Sequence, residues 1–504
     1  MFASLVHVIE SVARRTPGAA ALSWHRAVWT YEGLSRAIDC VAGALLGQAL
    51  PSDSRVALLI RNSPQYAAAY YGAMAAGQTA VPLNVQERAN VLKRQIEHSG
   101  AKLLLADPAH PEFAVLVASL ADANVTVLTV NMSDGADACN VFCASLPPGA
   151  GAAARAELSP DQLACILYTS GTTGRPKGVM LSHGNLLANA RTIAAYLDIR
   201  PDDKVLCPLP FHFSYGASVL NSNLSAGAQV LLEDNSAFPQ VLARRMQDEG
   251  VTAFPGVPAT FALLLGRCKL RDFDLSRLRY LTQAGGSMPR AQIELLRATV
   301  PHAKVFIMYG QTEATARLTY LAPELLEKKL GSVGLPLSGV EIEIRDADGG
   351  CVPVGEIGEI CARGPNVMLG YWQDAELTAQ TLRGGWLHTG DLAHSDAEGY
   401  LYIDGRVADM IKVGAFRVSP QEVEEVLAAL PSVEEVAVTA IPDEMLGQAI
   451  KAVIVLRPQM QLDAMAVKAH CRQHLATYKI PKLVEFAAVL PRTSSGKVQR
   501  YKLA

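Results

Sequence analysis

Apolar residues recur first at helical spacing. Leu5, Ile9, Val12 and Ala13 predict an amphipathic helix at the start of the chain. Short apolar runs then alternate with helical segments. Val56 to Ile60, Lys102 to Ala106 and Val125 to Val130 predict buried strands, and Tyr66 to Ala76 predicts a closely packed Ala/Gly-rich helix. Residues 133–160 are rich in Asp, Ala, Gly and Pro and read as a connecting loop. The pattern resumes at Ala164 to Tyr168. Alternation of this kind is the signature of an α/β fold. From about Gly331 glycine and proline become dense and the strands shorten: Val340 to Ile344, Gly358 to Ala362, Tyr400 to Ile403. That stretch predicts a β-rich subdomain. After Gly405 and Arg406 comes a last unit with strands at Met410 to Val413, Val436 to Ala440 and Lys451 to Leu456. Its helices are expected at Ser419 to Leu430 and Leu462 to Leu475, which makes a small α+β domain.

Composition narrows the class. The chain has 504 residues, half of them hydrophobic, so it can bury more than one core. Charged residues make up 18% and nearly cancel to a net −3, which argues against a nucleic-acid partner. No apolar run reaches the length of about 18 residues that a membrane helix needs, so no integral membrane association is expected. The segment from Met1 is interrupted by Glu10 and Arg14-Arg15 and reads as a helix start, not a signal peptide. The nine cysteines are scattered, with no Cys-x-x-Cys pair, which fits reduced thiols in a cytoplasmic protein.

The sharpest chemistry lies in Tyr168-Thr169-Ser170-Gly171-Thr172-Thr173-Gly174-Arg175-Pro176-Lys177-Gly178, directly after a buried strand. Glycines let the backbone approach a ligand, the hydroxyls of Thr169, Ser170, Thr172 and Thr173 offer donors to phosphate oxygens, and Lys177 adds charge. Taken alone, a polar surface loop reads equally well. It is not a Walker-type loop: two residues, not four, separate Gly171 from Gly174, and Gly178 follows Lys177. A P-loop kinase is thereby excluded.

The segment resembles the phosphate loop of the adenylate-forming superfamily, which includes acyl-CoA synthetases, peptide-synthetase adenylation domains and luciferases. The resemblance runs along essentially the whole chain, with the motifs in order. Met308-Tyr309-Gly310-Gln311-Thr312-Glu313 resembles the family's core motif, which implies that Thr312 meets the α-phosphate and that Glu313 holds Mg²⁺, a hard cation suited to oxygen ligands. Ala284-Gly285-Gly286-Ser287 resembles the adenine-contacting turn. Trp386 to Asp391 resembles the segment whose aspartate, here Asp391, grips the ribose hydroxyls. Asp404-Gly405-Arg406 resembles the junction where the arginine meets ribose or phosphate, with Ile403 beside it. Leu490 to Lys497 resembles the motif whose lysine, here Lys497, bridges the carboxylate and the α-phosphate. Read singly, Glu313, Asp391, Arg406 and Lys497 would each be solvated surface groups; their order along the chain assigns them roles.

The resemblance implies the fold and the reaction. The fold is a large N-terminal domain (1–404) of two α/β sheet subdomains plus the β-rich subdomain, a hinge at 405–408, and a small mobile α+β C-terminal domain (409–504). The reaction uses ATP and Mg²⁺. A carboxylic acid attacks the α-phosphate, pyrophosphate leaves, and after the C-terminal domain rotates a thiol takes the acyl group. That thiol is CoA or the phosphopantetheine arm of a carrier protein, and Lys412, Gly414, Ala415 and Phe416 lie on the face that meets it. The family usually has glycine at Ala415; a methyl there narrows the channel, which favours a carrier protein unless the methyl is tolerated. At the hinge Ala408 stands where Asp or Lys is usual, with Asp409 next. Two further readings stay open: a non-catalytic relative acting as sensor or scaffold, which usually loses Glu313 or Lys497, and luciferase-type oxygenation.

For the acid, Pro210-Phe211-His212-Phe213 resembles the segment between the ATP and acid sites, with His212 a catalytic candidate. The family's amino-acid-activating members usually carry aspartate where His212 stands, which argues against α-amino acids. Phe213, Ser214, Tyr215, Asn221, Ala284 and Gly285 are expected to line the acid pocket with His212. Arg317 reads first as a surface ion pair and second as a partner for another polar group on the acid.

Overall fold

The computed structural model describes residues 2–51, 53–148, 155–169, 176–234, 238–406, 409–413, 416–443, 445–492 and 498–503. Two large sheets enclose a layer of helices. One has seven strands, with Leu163–Thr169 and Lys177–Ser182 near one edge, and Thr79–Pro82, Arg55–Leu59, Leu103–Ala106 and Thr126–Thr129 running parallel beyond them. The other has nine, centred on the parallel strands Lys204–Cys207, Ala253–Gly256, Tyr280–Gln283 and Lys304–Tyr309. The shared layer contains helices Leu5–Arg15, Tyr31–Leu46, Pro64–Ala75, His183–Tyr196 and Ser214–Ala226, and one continuous core joins them to both sheets. Further helices cover the outer faces and pack into two separate cores.

Sequence and packing agree closely in this layer. The opening helix buries Leu5, Val6, Ile9, Val12 and Ala13, and Ser4 caps it by accepting from the His7 N–H. Pro64–Ala75 is buried on every side, which its small side chains permit. A Cβ on Gly72 would stand 2.5 Å from Val41 Cβ, so this glycine sets the approach of two helices. Tyr31 ties the layer together: its Oη donates to Ala228 O at 2.8 Å and to Leu224 O at 3.2 Å.

The β-rich stretch forms a five-stranded antiparallel sheet around Gly358–Arg363 and Trp386–Ser395. The C-terminal unit has its own five-stranded sheet and its own core, with helices Pro420–Ala428 and Ala464–His474. Two expectations need correction. The stretch 133–160 is not all loop: Ala138–Ser145 is a helix that buries Phe142 against Trp29, ring centroids 5.7 Å apart. Eight residues among Asp, Gly and Pro were too few to show a period. The strand expected at Tyr400 to Ile403 is Leu401–Arg406, so it runs into the expected hinge. No helix among the described residues is long and apolar enough to cross a membrane.

Gly72→Ala is expected to lower stability by about 1–3 kcal/mol through overpacking against Val41. Val41→Ala in the same chain should restore part of it. Denaturant unfolding of the two variants checks this, and an unchanged midpoint for Gly72→Ala would refute the close approach.

Candidate active site

The site is organised by one tight loop between the strands Lys304–Tyr309 and Thr319–Leu321. Leu318 N donates to Tyr309 O at 2.8 Å and closes it. Gly310 is required at its neck, since a Cβ there would meet Ala316 O at 2.2 Å. Thr315 sits at φ +63 and its Oγ1 donates to Asn366 O at 2.6 Å. Asn366 Nδ2 returns bonds to Arg317 O (2.7 Å) and Ala314 O (3.3 Å).

This loop aims the expected catalytic groups. Thr312 Oγ1 donates to Ser214 Oγ at 3.1 Å, so the core motif meets the first residue of helix Ser214–Ala226. Glu313 Oε1 accepts from Tyr371 Oη at 2.8 Å, and Met368 N donates to Glu313 O. Tyr371 arrives because Gly370–Tyr371 pairs with Val179 and Met180 of the strand that follows the phosphate loop. Among the described residues Glu313 Oε2 accepts no hydrogen bond, which leaves an oxygen for a hard cation. Gln311 Nε2 is buried without a partner among them.

The position expected to hold ribose is equally built. Asp391 is 5% exposed, and its two oxygens accept from Tyr309 Oη (2.7 Å) and Arg406 Nε (2.8 Å). Each oxygen keeps a second lone-pair direction for a ribose hydroxyl. Burial first, and Asp391 next, push the Tyr309 phenol well up; the Asp391 charge raises Arg406 further. Ile403 pairs with Ala393 in the adjoining strands, and Asp404 is bonded to His394 Nδ1 at 2.8 Å. The turn expected to contact adenine is exposed at Gly285, Gly286 and Ser287, with Gly285 at φ +87 and Gln283 Nε2 donating to Gly286 O at 2.7 Å. Gln421 of the C-terminal unit reaches Ser287 Oγ at 3.5 Å.

Thr169 and Lys177 face each other as a register pair at the ends of their strands. Ser170, Gly171, Thr172, Thr173, Gly174, Gly414, Ala415 and Lys497 lie outside the described residues, and only the backbone of Phe416 is described. Lys412 is exposed, and its N–H donates to Gln448 Oε1 at 2.7 Å. The groups present fit a magnesium nucleotide: one open carboxylate oxygen at Glu313, an orphaned amide at Gln311 and a preset carboxylate at Asp391. A separate group of potential ligand atoms, Glu359, Cys361 and His388, has its one carboxylate already engaged by His388 at 2.8 Å and Arg383 at 3.4 Å.

The acid side opens along helix Ser214–Ala226. His212 is 8% exposed, its Nε2 has no partner among the described residues, and its ring meets Phe213 at 4.2 Å. Burial drives its pKa down to about 3. Tyr215 Oη donates to Thr282 O at 2.9 Å. Ala284 is buried, beside Gly285. Asn221 turns the other way and accepts from Tyr71 Oη at 2.8 Å. A small cavity beyond Tyr215 is lined instead by Ser218, Ser222, Asn223, Tyr280 and Arg317. Arg317 corrects its first reading: it is 2% exposed and makes no surface ion pair. Sequence reasoning missed Tyr371 and Asn366, which only strand pairing and loop packing bring near. It also missed Ser218 and Ser222, whose spacing of four from Ser214 was a readable helical stripe.

Comparison with known proteins places the fold among characterised relatives. The family profile described as AMP-binding enzyme matches residues 9–372, and that of the AMP-binding enzyme C-terminal domain matches 422–497. A feruloyl-CoA synthase of an Amycolatopsis species is 35% identical over 489 residues, covering 96% of this chain and 95% of that one. A long-chain-fatty-acid–CoA ligase of Escherichia coli is 34% identical, covering 100% and 94%. The solved o-succinylbenzoate coenzyme A synthetase of Bacillus subtilis with ATP and magnesium superposes with a TM-score of 0.86 at 30% identity, covering 98% of each chain.

A buried, neutral His212 should leave no step in the pH profile of catalysis between about pH 5 and 8. Its folded pKa lies below the unfolded value of about 6.5, so the stability tied to its burial is complete above that pH and is lost as pH falls toward 3. An acid limb near pH 6.5 in kcat/KM that disappears in His212→Gln would overturn this.

Proposed function

The chain belongs to the AMP-binding enzyme family, and from that premise we propose how its residues divide the work. It is an ATP-dependent acid–thiol ligase: a carboxylic acid becomes an acyl-adenylate with release of pyrophosphate, and the acyl group passes to a thiol, with CoA as acceptor. ATP and Mg²⁺ are its cofactors.

Two anions must meet in the first step, so the site's task is neutralisation and positioning. We assign Thr312 and the loop Thr169 to Gly174, with Lys177, to the phosphates. Glu313 is the residue that holds the magnesium ion, which supplies charge neutralisation on the phosphates when bound. Asp391 fixes the ribose, Arg406 orients Asp391 from one side and Tyr309 from the other. The turn Gly285-Gly286-Ser287, with Gly310 and Gln311, receives the base and sugar. Lys497 is assigned the charge between the carboxylate and the α-phosphate. The observation that supports this reading best is the Thr312–Ser214 hydroxyl contact, which joins the nucleotide side to the mouth of the acid cavity at one point. His212, neutral and unpartnered at that mouth, is a neutral polar contact and not a base.

Residues 1–404 are the proposed adenylating domain and 409–504 the mobile one, with the hinge between them. Rotation about it would exchange Lys497 for the face containing Lys412 and Phe416. A carrier protein's phosphopantetheine arm is the second acceptor we propose, on the ground that Ala415 puts a methyl where the family usually has none. The nine free thiols support the cytoplasm as compartment.

Lys497→Ala is expected to cut acid-dependent ATP–pyrophosphate exchange by about a hundredfold or more, as removal of one preorganised donor does. It should leave transfer from supplied acyl-adenylate to CoA nearly intact. Equal loss in both assays would refute the division of labour. Ala415→Gly should raise kcat/KM for CoA, and no change would remove the case for a carrier protein.

A further inference from the structure

We propose that the acid activated here carries a second carboxylate, received by Arg317 at the far side of the acid cavity. The inference rests on the acid–thiol ligase reading above and names its substrate class.

Arg317 is 2% exposed, yet no carboxylate among the described residues pairs with it. Its Nε donates to Met308 Sδ at 3.3 Å and its Nη1 to Ala316 O at 3.1 Å, and its guanidinium lies 4.3 Å over the Tyr215 ring. A thioether, a carbonyl and a π face cradle a cation but do not neutralise it. Other sheltered arginines here are treated differently: Arg279 meets Asp203, Arg245 meets Glu233, and Arg155 meets Glu10 and Asp39. Burying a cation without an anion costs several kcal/mol. Arg55 also lacks a carboxylate and donates to Ser99 O and Gly100 O, but it is only half-buried, whereas Arg317 is 2% exposed and borders a cavity.

The surroundings of Arg317 point the same way. It lines the cavity with Tyr280 and Asn223. Tyr280 Oη and Asn223 Oδ1 are both buried and have no partner among the described residues. Ser218 and Ser222, by contrast, satisfy their hydroxyls on Tyr215 O and Val219 O. A guanidinium and a free phenolic O–H are two donors suited to the oxygens of a carboxylate, and Asn223 Oδ1 suits a bridging water. An entirely apolar acid would offer the Arg317 charge no anion and the Tyr280 and Asn223 oxygens no partner, a costly outcome for buried polar atoms.

Geometry limits the length. Ser214 marks the activation end through Thr312. Ser218 and Ser222 lie one and two turns further along the helix, about 6 and 12 Å away. An acid reaching from Ser214 to this stretch of helix would hold its two carboxylates about 6–12 Å apart, a separation met by a medium α,ω-dicarboxylic acid or a ring carrying a second carboxylate.

The test is acid-dependent ATP–pyrophosphate exchange with wild type, Arg317→Met and Arg317→Lys. The acids are α,ω-dicarboxylates from adipate to sebacate, their length-matched monocarboxylates, and 4-carboxycinnamate against cinnamate. Wild type should prefer the diacid of a pair by about a hundredfold in kcat/KM, as sites built around a polar group reject analogues lacking it. Arg317→Met should erase or reverse that preference with the KM for ATP unchanged, and Arg317→Lys should restore part of it. Exchange with monocarboxylates at equal or greater kcat/KM in wild type would overturn the proposal while leaving the ligase reading standing. Exchange with no acid at all would overturn both. If Arg317→Met fails to fold, the wild-type panel and the lysine variant still decide.

Discussion

The active site depends on how tightly the chain turns back on itself between Tyr309 and Leu318. At the neck, Gly310 lies so close to Ala316 O that no side chain fits. Within the loop, Thr315 holds a positive φ that costs a β-branched residue on the order of 1–3 kcal/mol. Three hydrogen bonds through Asn366 offset this, at about 0.5–1.5 kcal/mol each. The balance explains why so distant a residue is needed. Without Asn366 the strained loop would relax, and Thr312, Glu313 and Arg317 would lose their common frame. Because the three sit on one loop, the groups proposed to serve phosphate, metal and acid are positioned together.

That loop works only because two sheets meet around it. The strand Lys304–Tyr309 belongs to the nine-stranded sheet, whereas Tyr371, which orients Glu313, is carried by the seven-stranded one. Helix Ser214–Ala226 lies in the layer between, anchored through Tyr31 and Tyr71. Gly216, at its first turn, would place a Cβ 2.1 Å from Pro210 O. The chain thus presses the segment containing His212 against the helix start. The same compression explains why His212 is dry and neutral.

What could be read in advance follows the range of the interactions. Local rules exposed the periodic helices, the buried strands and the phosphate loop, and a resemblance spanning the chain ordered Thr312, Glu313, Asp391 and Arg406 into one site. Interactions set by tertiary contact were invisible. Nothing near Tyr371 hints that it holds Glu313, because the contact spans 58 residues and depends on a two-residue strand. Arg317 misled for the opposite reason. An arginine past a loop is normally solvated, and only the fold packs it against Tyr215 with no carboxylate paired to it among the described residues. Asn221, on the helix expected to line the pocket, faces Tyr71, helical geometry turning it by about 60° from Ser218 and about 100° from Ser222.

Asp391 and Arg406 carry the argument from chemistry into motion. They face each other as a register pair on antiparallel strands, so their contact is part of the sheet itself. Arg406 is more than half exposed, and as an ion pair alone the contact would add little stability. Its value lies in position. It is the last cross-strand pair before the chain leaves for the C-terminal unit, and it shares Asp391 with Tyr309, the residue that begins the catalytic loop. Immediately before it, Gly405 adopts φ +149 against Ser419, whose hydroxyl donates to Asp404 O. Asp391 therefore contacts both ends of one short path. One end is the loop holding Thr312 and Glu313, and the other is the strand end from which the C-terminal unit departs. On the proposed roles, a single carboxylate with two donors would suffice to couple nucleotide binding to domain position, without any long-range relay.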